Sequence, residues 1–375
     1  MRYYVNMEKL SVILPLYNKE STILPCLESL RSQTYGDFEV IVVDDGSSDG
    51  SVDCVEEFLA TEKDPRFTLI RNGHVGVSST VNSGLARAKG DYVTRVDADD
   101  LVDPAFFATA FSLLEATGSS NDVHVRCRIA RVKANFRLPE RGETDSDRNS
   151  SPQNDTAAEA FEKQAVAVTK GGMCYRQLFG ETDTSLMSMC GALYPRATLI
   201  EHGLTLDGRL ANTEDILFNA CFFALDTPVI LLDEPLYYYR QTQNSQSRAY
   251  NPDLYRAADI LYESIMGLES AESTRIVAGA YKTQALSYMS TYFTIVLLNE
   301  AQTPGSRETF KTRIVSIMDE SHARKVFERA RELKVQSTLT RILYSLIMRE
   351  EFSQAELLAK TIDVARAIRR RLKTN

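Results

Sequence analysis

Residues 38–50, FEVIVVDDGSSDG, decide the fold. From Phe38 to Val43 the stretch is apolar apart from Glu39, and it stops at Asp44-Asp45-Gly46-Ser47-Ser48-Asp49-Gly50, a cluster of turn-forming residues. An apolar run this short, cut off by Asp and Gly, predicts a buried strand. Upstream, Leu10 to Leu16 reads the same way and ends in Pro-Leu-Tyr-Asn. Between the two strands, Glu20 to Gln33 places Ile23, Leu24, Leu27 and Leu30 at helical spacing, with Ser21 as the expected cap. Downstream the alternation continues. Val52 to Leu59 predicts a helix, Phe67 to Ile70 a strand, Val77 to Ala88 a helix closed by Gly90, and Tyr92 to Val96 a strand running into Asp97-Ala98-Asp99-Asp100. Strands separated by single helices indicate an α/β fold with a mainly parallel central sheet. In such sheets a ligand sits outside the carboxyl ends of the strands, where both acidic clusters lie.

The second half is less regular. Arg137 to Thr156 is polar and nearly free of apolar residues, which predicts a flexible loop: an acceptor-side lid or a solvated insertion. Thr213 to Ala224 reads as a helix, with Val229 to Leu232 and Leu236 to Tyr239 as two short extended pieces. From Pro252 onward apolar residues recur at spacings of three and four, around 254–268, 275–298, 308–318, 322–334, 339–349 and 354–372. The expected division is a larger domain at 1–250, in halves of 1–117 and 118–250 with the 137–156 loop in the second, and an all-helical subdomain at 251–375.

Composition narrows the function. With 43 Lys and Arg against 51 Asp and Glu the net charge is −8, which argues against a nucleic-acid binder. The six cysteines are scattered, without a C-x-x-C pair, and read as reduced core thiols. The N-terminus lacks the apolar stretch of a signal peptide, and no apolar run approaches the roughly 20 residues that cross a bilayer. A cytoplasmic chain is expected.

The acidic triplet carries the chemistry. A sugar nucleotide that gives up its sugar leaves a nucleoside diphosphate, and a hard divalent cation held by carboxylates stabilises that charge. Asp97-Ala98-Asp99 offers two carboxylates just past a buried strand. Taken alone, such a triplet is as readily a helix cap or a solvated turn. Its setting separates the readings: LSVILPLYN, then FEVIVVDDGSSDGS, then RNGHVGVSSTVNSGLARAKGDYVTRVDADD, and later NTEDILF occur in that order. This series resembles inverting glycosyltransferase family 2, whose fold is called GT-A. The likeness covers residues 10 to about 104 and resumes from about Gly191 to Ser247. It looks similar to enzymes that build bacterial surface glycans, which implies a catalytic domain at 1–250 with a nucleotide-binding half at 1–117 and an acceptor-side half at 118–250.

The resemblance implies a site. Pro15, Leu16 and Tyr17 would line the nucleobase pocket, Asp44 and Asp45 would meet the base and ribose, and Arg71 and Asn82 would lie near the base and phosphates. A carboxylate accepts the imide hydrogen of uracil, which favours a UDP-sugar donor. Asp45-Gly46-Ser47 also makes a plain turn and helix cap, and both readings can hold together. Asp99 would be the direct ligand of Mn²⁺ or Mg²⁺. Asp97 would reach the ribose or a metal-bound water, and Asp100 would cap the next helix or support the site. Asp215 would be the base that takes the acceptor hydroxyl proton, with Glu214 orienting the acceptor or the adjoining loop. Arg240, Ser245 and Ser247 would close over the donor pyrophosphate. The tyrosines before Arg240 read as sheet packing.

Two positions depart from the family pattern. Val81 stands where many relatives have arginine, and Arg95 where an apolar residue is common. His74, in the Asn72–Gly76 turn, reads as a solvated loop residue. The basic tail, Ala365 to Lys373, has three readings: a solvated terminal helix, a contact with anionic lipid at the inner face of the membrane near a lipid-linked acceptor, or a homo-oligomer face. The acceptor class is a glycan, polyol or lipid-linked hydroxyl. Two other functions are weighed. A sugar-nucleotide nucleotidyltransferase would want a glycine-rich loop where Pro15-Leu16-Tyr17-Asn18 stands. A degenerate binding module would have no need of Asp97, Asp99 and Asp215 together.

Overall fold

A computed structural model describes residues 9–116, 122–138, 166–180, 184–210, 213–241, 251–268, 282–302 and 307–362. The first half follows the apolar runs closely. Strand β1 (Leu10–Leu16) leads through α1 (Ile23–Arg31) to β2 (Phe38–Asp44), then α2 (Ser51–Glu62), β3 (Phe67–Arg71), α3 (Val77–Leu85) and β4 (Tyr92–Arg95). β1 and β2 pair in parallel from Leu10↔Phe38 to Leu16↔Asp44, and β3 and β4 flank them, also parallel. Nearly every residue of β1 and β2 is buried, because helices cover both faces. Gly90 lets the chain enter β4 against β1. A Cβ there would lie 2.6 Å from the Ser11 amide nitrogen and 2.7 Å from the Leu10 carbonyl carbon. Ser21 does not cap α1. Thr22 occupies the cap position, and no side chain accepts a bond there.

Beyond β4 the sheet changes character. The short β5 (Leu101–Val102) and α4 (Phe106–Ala116) precede β6 (His124–Lys133) and β7 (Val166–Lys170). Then come α5 (Gly171–Gly180), a single 3₁₀ turn (Thr184–Met187), β8 (Ala192–Pro195), α6 (Arg196–Glu201), α7 (Glu214–Phe223) and β9 (Pro228–Gln241). The strand order is β3-β2-β1-β4-β8-β6-β9-β5, with β7 also on β9. β8 runs antiparallel to both β4 and β6, and β9 runs antiparallel to β5 and β7 but parallel to β6. The sheet is therefore parallel from β3 to β4, as expected, with antiparallel pairings confined to the strands beyond. The two extended pieces expected around 229–239 are one 14-residue strand. Asp233-Glu234-Pro235 interrupts its apolar pattern, and the extra residues bulge from β9, shifting the register on both sides of Arg128, which pairs with Pro235.

The remaining helices are α8 (Leu254–Leu268), α9 (Lys282–Glu300), α10 (Arg307–Glu320), α11 (Ala323–Glu332), α12 (Thr338–Met348) and α13 (352–362). α9 is buried over most of its surface, with Met289, Phe293, Val296 and Leu298 inside and Thr291 and Ile295 exposed. A helix covered this widely sits inside a bundle. It packs against α5, α8 and α11, with Tyr288 against Phe179 at 5.3 Å between ring centroids. One apolar cluster runs from Ile13 and Val43 under the sheet through α7 to Ala359 in the last helix. A second fills the other face between β1, β2, α1 and α4. All six cysteines are free thiols, four of them buried. No helix among the described residues is long and apolar enough to cross a membrane. Most of the 137–156 loop and all of the basic tail lie outside the described residues.

Candidate active site

The acidic turn hangs between β4 and β9. Its backbone closes by the Asp100 amide donating to the Asp97 carbonyl at 2.9 Å, and Ala98 between the first two carboxylates is buried. Asp97 and Asp99 stay partly exposed, while Asp100 points inward. Tyr237 Oη donates to Asp100 Oδ2 at 2.7 Å and accepts from the Asp97 amide at 3.1 Å. The Arg240 amide donates to Asp100 Oδ1 at 3.0 Å. Burial, then the neighbouring Asp97 and Asp99, push the Asp100 carboxyl well above the usual carboxylate range. Of its two expected roles, Asp100 therefore serves the turn and not α4. The contact ahead of α4 comes from Asp103, whose carboxylate accepts from the Ala105 amide at 3.0 Å.

One arginine joins this turn to the other half of the protein. Arg95 ends β4 with its side chain only 7% exposed. Its Nε donates to Asp97 Oδ1 and its Nη1 to Asp215 Oδ1, both at 2.7 Å, and Nη1 lies 3.7 Å from Glu214 Oε1. Burial works against the guanidinium charge, but Asp215, Asp97 and Glu214 outweigh it and raise its pKa further. Asp215 and Glu214 open α7, where the helix dipole favours carboxylates. The other oxygen of Asp215 accepts from the Met189 amide at 2.9 Å and from Ser188 Oγ at 3.4 Å. Behind that segment sits Arg126, 2% exposed, which donates to the Ser185 and Ser188 carbonyls, to Tyr194 Oη and to Asn219. Glu214 is buried, with Oε2 lacking a hydrogen-bond partner among the described residues. Burial first, then Asp215, push its carboxyl up to about 7, against the pull of Arg95.

The carboxyl ends of β1 and β2 meet the turn from the opposite side. Lys19 Nζ pairs with Asp99 Oδ2 at 2.5 Å. Tyr17 stacks on the exposed His74 ring with centroids 4.6 Å apart and planes at 28°, forming an aromatic ledge beside the half-buried Pro15.

Contacts within the protein already engage several of the other expected site residues. Leu16 is fully buried in the core, so its side chain lines no pocket. Asp44 spends its carboxylate on the Gly46 and Ser47 amides. Asp45 spends its own on the Val75 and Gly76 amides and on Thr80 Oγ1. Both are buried and brace turns, Gly46 taking a φ of +76° in one of them. Arg71 pairs with Glu56 on the outside of α2 at 2.6 Å. Asn82 uses both ends of its amide on the backbone of Leu206, clamping α3 to the segment before α7. Arg240 is buried and donates to the Asp99 and Thr22 carbonyls, so it holds the acidic turn instead of facing outward. Ser245 and Ser247 lie outside the described residues.

Other residues take their place. Lys19 and Tyr237 were not anticipated as site residues, Arg95 stood out only as a departure, and His74 as a loop residue. A charged residue in a strand otherwise apolar, as at Arg95, was the one available signal.

Known proteins resemble this chain in sequence and in fold. Residues 11–181 match glycosyl transferase family 2. The putative glycosyltransferase EpsH of Bacillus subtilis (strain 168) is 29% identical over 313 residues, 82% of each chain. The uncharacterized glycosyltransferase EpsJ of the same organism is 27% identical over 310 residues, 82% of this chain and 83% of that one. Among solved structures, S. aureus TarS 1–349 in complex with UDP-GlcNAc superposes with a TM-score of 0.64 at 18% identity, covering 95% of this chain and 92% of that one. That likeness places the fold among the GT-A glycosyltransferases. Residues 11–181 of this chain are thus a glycosyltransferase family 2 domain.

Proposed function

We propose that the protein is an inverting, metal-dependent transferase that moves a sugar from a UDP-sugar to a hydroxyl of a surface glycan or lipid-linked acceptor. The observation that carries this reading is the joining of Asp97 and Asp215, 118 positions apart in sequence, on a single buried guanidinium. A donor-side carboxylate and a candidate base then lie on either side of one reacting centre. The TarS structure with bound UDP-GlcNAc supports the nucleotide and the class of sugar. The Tyr17–His74 ledge offers a flat face for the base, since aromatic rings stack on any nucleobase.

Asp215 takes the proton of the acceptor hydroxyl as its oxygen attacks the anomeric carbon. The bond to the diphosphate oxygen breaks on the opposite face, and its electron pair leaves with the diphosphate, so configuration inverts. Asp99 and Asp97 are suited to hold Mn²⁺ or Mg²⁺. Each is partly exposed and keeps one carboxylate oxygen outside its pair with Lys19 or Arg95, and hard cations take such oxygens. A bound cation would neutralise charge on the departing diphosphate.

The test is UDP release from UDP-GlcNAc with Mn²⁺, after a thermal-shift panel of nucleotide sugars has identified donors that raise the melting temperature. Asp215→Asn should abolish turnover and leave donor affinity within about threefold. Near wild-type turnover in that variant would remove Asp215 as the base.

A further inference from the structure

Arg95 is held more rigidly than charge neutralisation alone requires. Its Cα is fixed in β4 by pairing with Ile13 on one side and by a parallel bridge to Cys190 on the other. That same segment supplies the Met189 amide and Ser188 Oγ that hold the second oxygen of Asp215. Cys190 donates its amide to Ser188 Oγ at 3.0 Å, and Arg126 fixes the Ser188 carbonyl at 2.8 Å from below. Asp215 is therefore gripped on both oxygens by groups tied to the end of β4, two residues before Asp97.

The guanidinium makes the grip directional. It is planar, with donors at fixed angles, and Nε and Nη1 face Asp97 and Asp215 separately. An ammonium carries the same charge on a single nitrogen, so it cannot reproduce two separated contacts of fixed geometry.

We propose that Arg95 is a positioning residue that sets the distance and angle between the donor-side carboxylate and the base. This rests on the reading of Asp215 as base. Charge compensation and positioning differ in what lysine does. If Arg95 only balances buried carboxylates, lysine serves as well; if it positions them, lysine preserves the fold and spoils the reaction.

The experiment compares full-length wild type, Arg95→Lys, Arg95→Gln and Asp215→Asn. UDP release from UDP-GlcNAc with Mn²⁺ gives kcat and KM, calorimetry gives donor affinity, and thermal melting reports the fold. Arg95→Lys should melt cooperatively and bind donor within about threefold of wild type, with kcat lower by about 10–100-fold, the scale of a misplacement near 1 Å. Arg95→Gln should show the same split with a side chain of different shape. A kcat within about twofold of wild type in either variant overturns the proposal, as does a fall in donor affinity that matches the fall in kcat. Loss of cooperative melting in both variants also overturns it, because Arg95 would then be a folding residue. If Asp215→Asn keeps its turnover, the base assignment fails and the positioning role falls with it. If Asp215→Asn is inactive while Arg95→Lys is near wild type, only the positioning role fails.

Discussion

Replacing Glu214 with Gln should make the protein more stable at neutral and higher pH. Glu214 is buried against Asp215, and its carboxyl is raised from 4.5 to about 7. The native state therefore binds a proton more tightly than the unfolded chain does. Between the two values the native state holds more protons, so stability falls as pH rises through this window, and the whole penalty is present above about 7. At about 1.4 kcal/mol per pH unit, the rise corresponds to an upper bound of about 3 kcal/mol. Glutamine has nearly the same shape and no charge to desolvate. It gives up the attraction to Arg95 at 3.7 Å, which opposes part of the gain. The expected net stabilisation is about 1–3 kcal/mol at pH 8 and close to zero near pH 4.5. Urea unfolding of wild type and variant across that range supplies the difference curve, in which groups such as Asp100 cancel because both proteins carry them. A difference that stays flat with pH would refute the argument, whatever its size.

Three further outcomes are expected. Tyr237→Phe should cost about 1–3 kcal/mol in unfolding experiments, because it strips a bond from Asp100 and from the Asp97 amide in a buried place; an unchanged midpoint would remove Tyr237 as a brace of the turn. Lys19→Gln removes the cation that pairs with Asp99 and should tighten Mn²⁺ binding to the donor-free protein by about tenfold, which is about 1.4 kcal/mol. Weaker Mn²⁺ binding by calorimetry would show that Lys19 does not compete with the ion. Gly90→Ala should destabilise by about 1–3 kcal/mol, since the new methyl meets β1 backbone that cannot swing aside; a melting temperature equal to wild type would contradict the close approach.

The sequence made the first four strands legible because they are short, mostly apolar runs separated by helices of clear period. Strand β1 matched its expected bounds at both ends, and β2 ran only one residue longer. The strands past Asp100 were harder for a physical reason. β6 alternates charged and apolar residues, as in His124-Val125-Arg126-Cys127-Arg128, and buries Arg126 by giving it carbonyl and hydroxyl partners more than 55 residues away. Nothing local marks such an arginine as a core residue. In the site, residue types pointed to Asp97, Asp99 and Asp215, while the contacts they make join distant segments. Lys19 meets Asp99 across 80 residues, and Tyr237 meets Asp100 across 137. Asp44, Asp45, Asn82 and Arg240 show the converse. Side chains with the right chemistry for a ligand are occupied by backbone amides or carbonyls, a competition that becomes visible only in three dimensions.

β9 acts as a ruler for the whole centre. It pairs with β6 from Val229 onward, and the same strand later places Tyr237 and Tyr238 opposite Val102 and Leu101 and hands the Arg240 amide to Asp100. The depth of the acidic turn is thus counted out in residues along β9. A strand repeats every two residues, so one residue inserted between Tyr237 and Arg240, past the bulged stretch, would bring the wrong amide to Asp100. Changes of length in this strand are therefore better borne by the irregular stretch at 233–236 than by the residues after it.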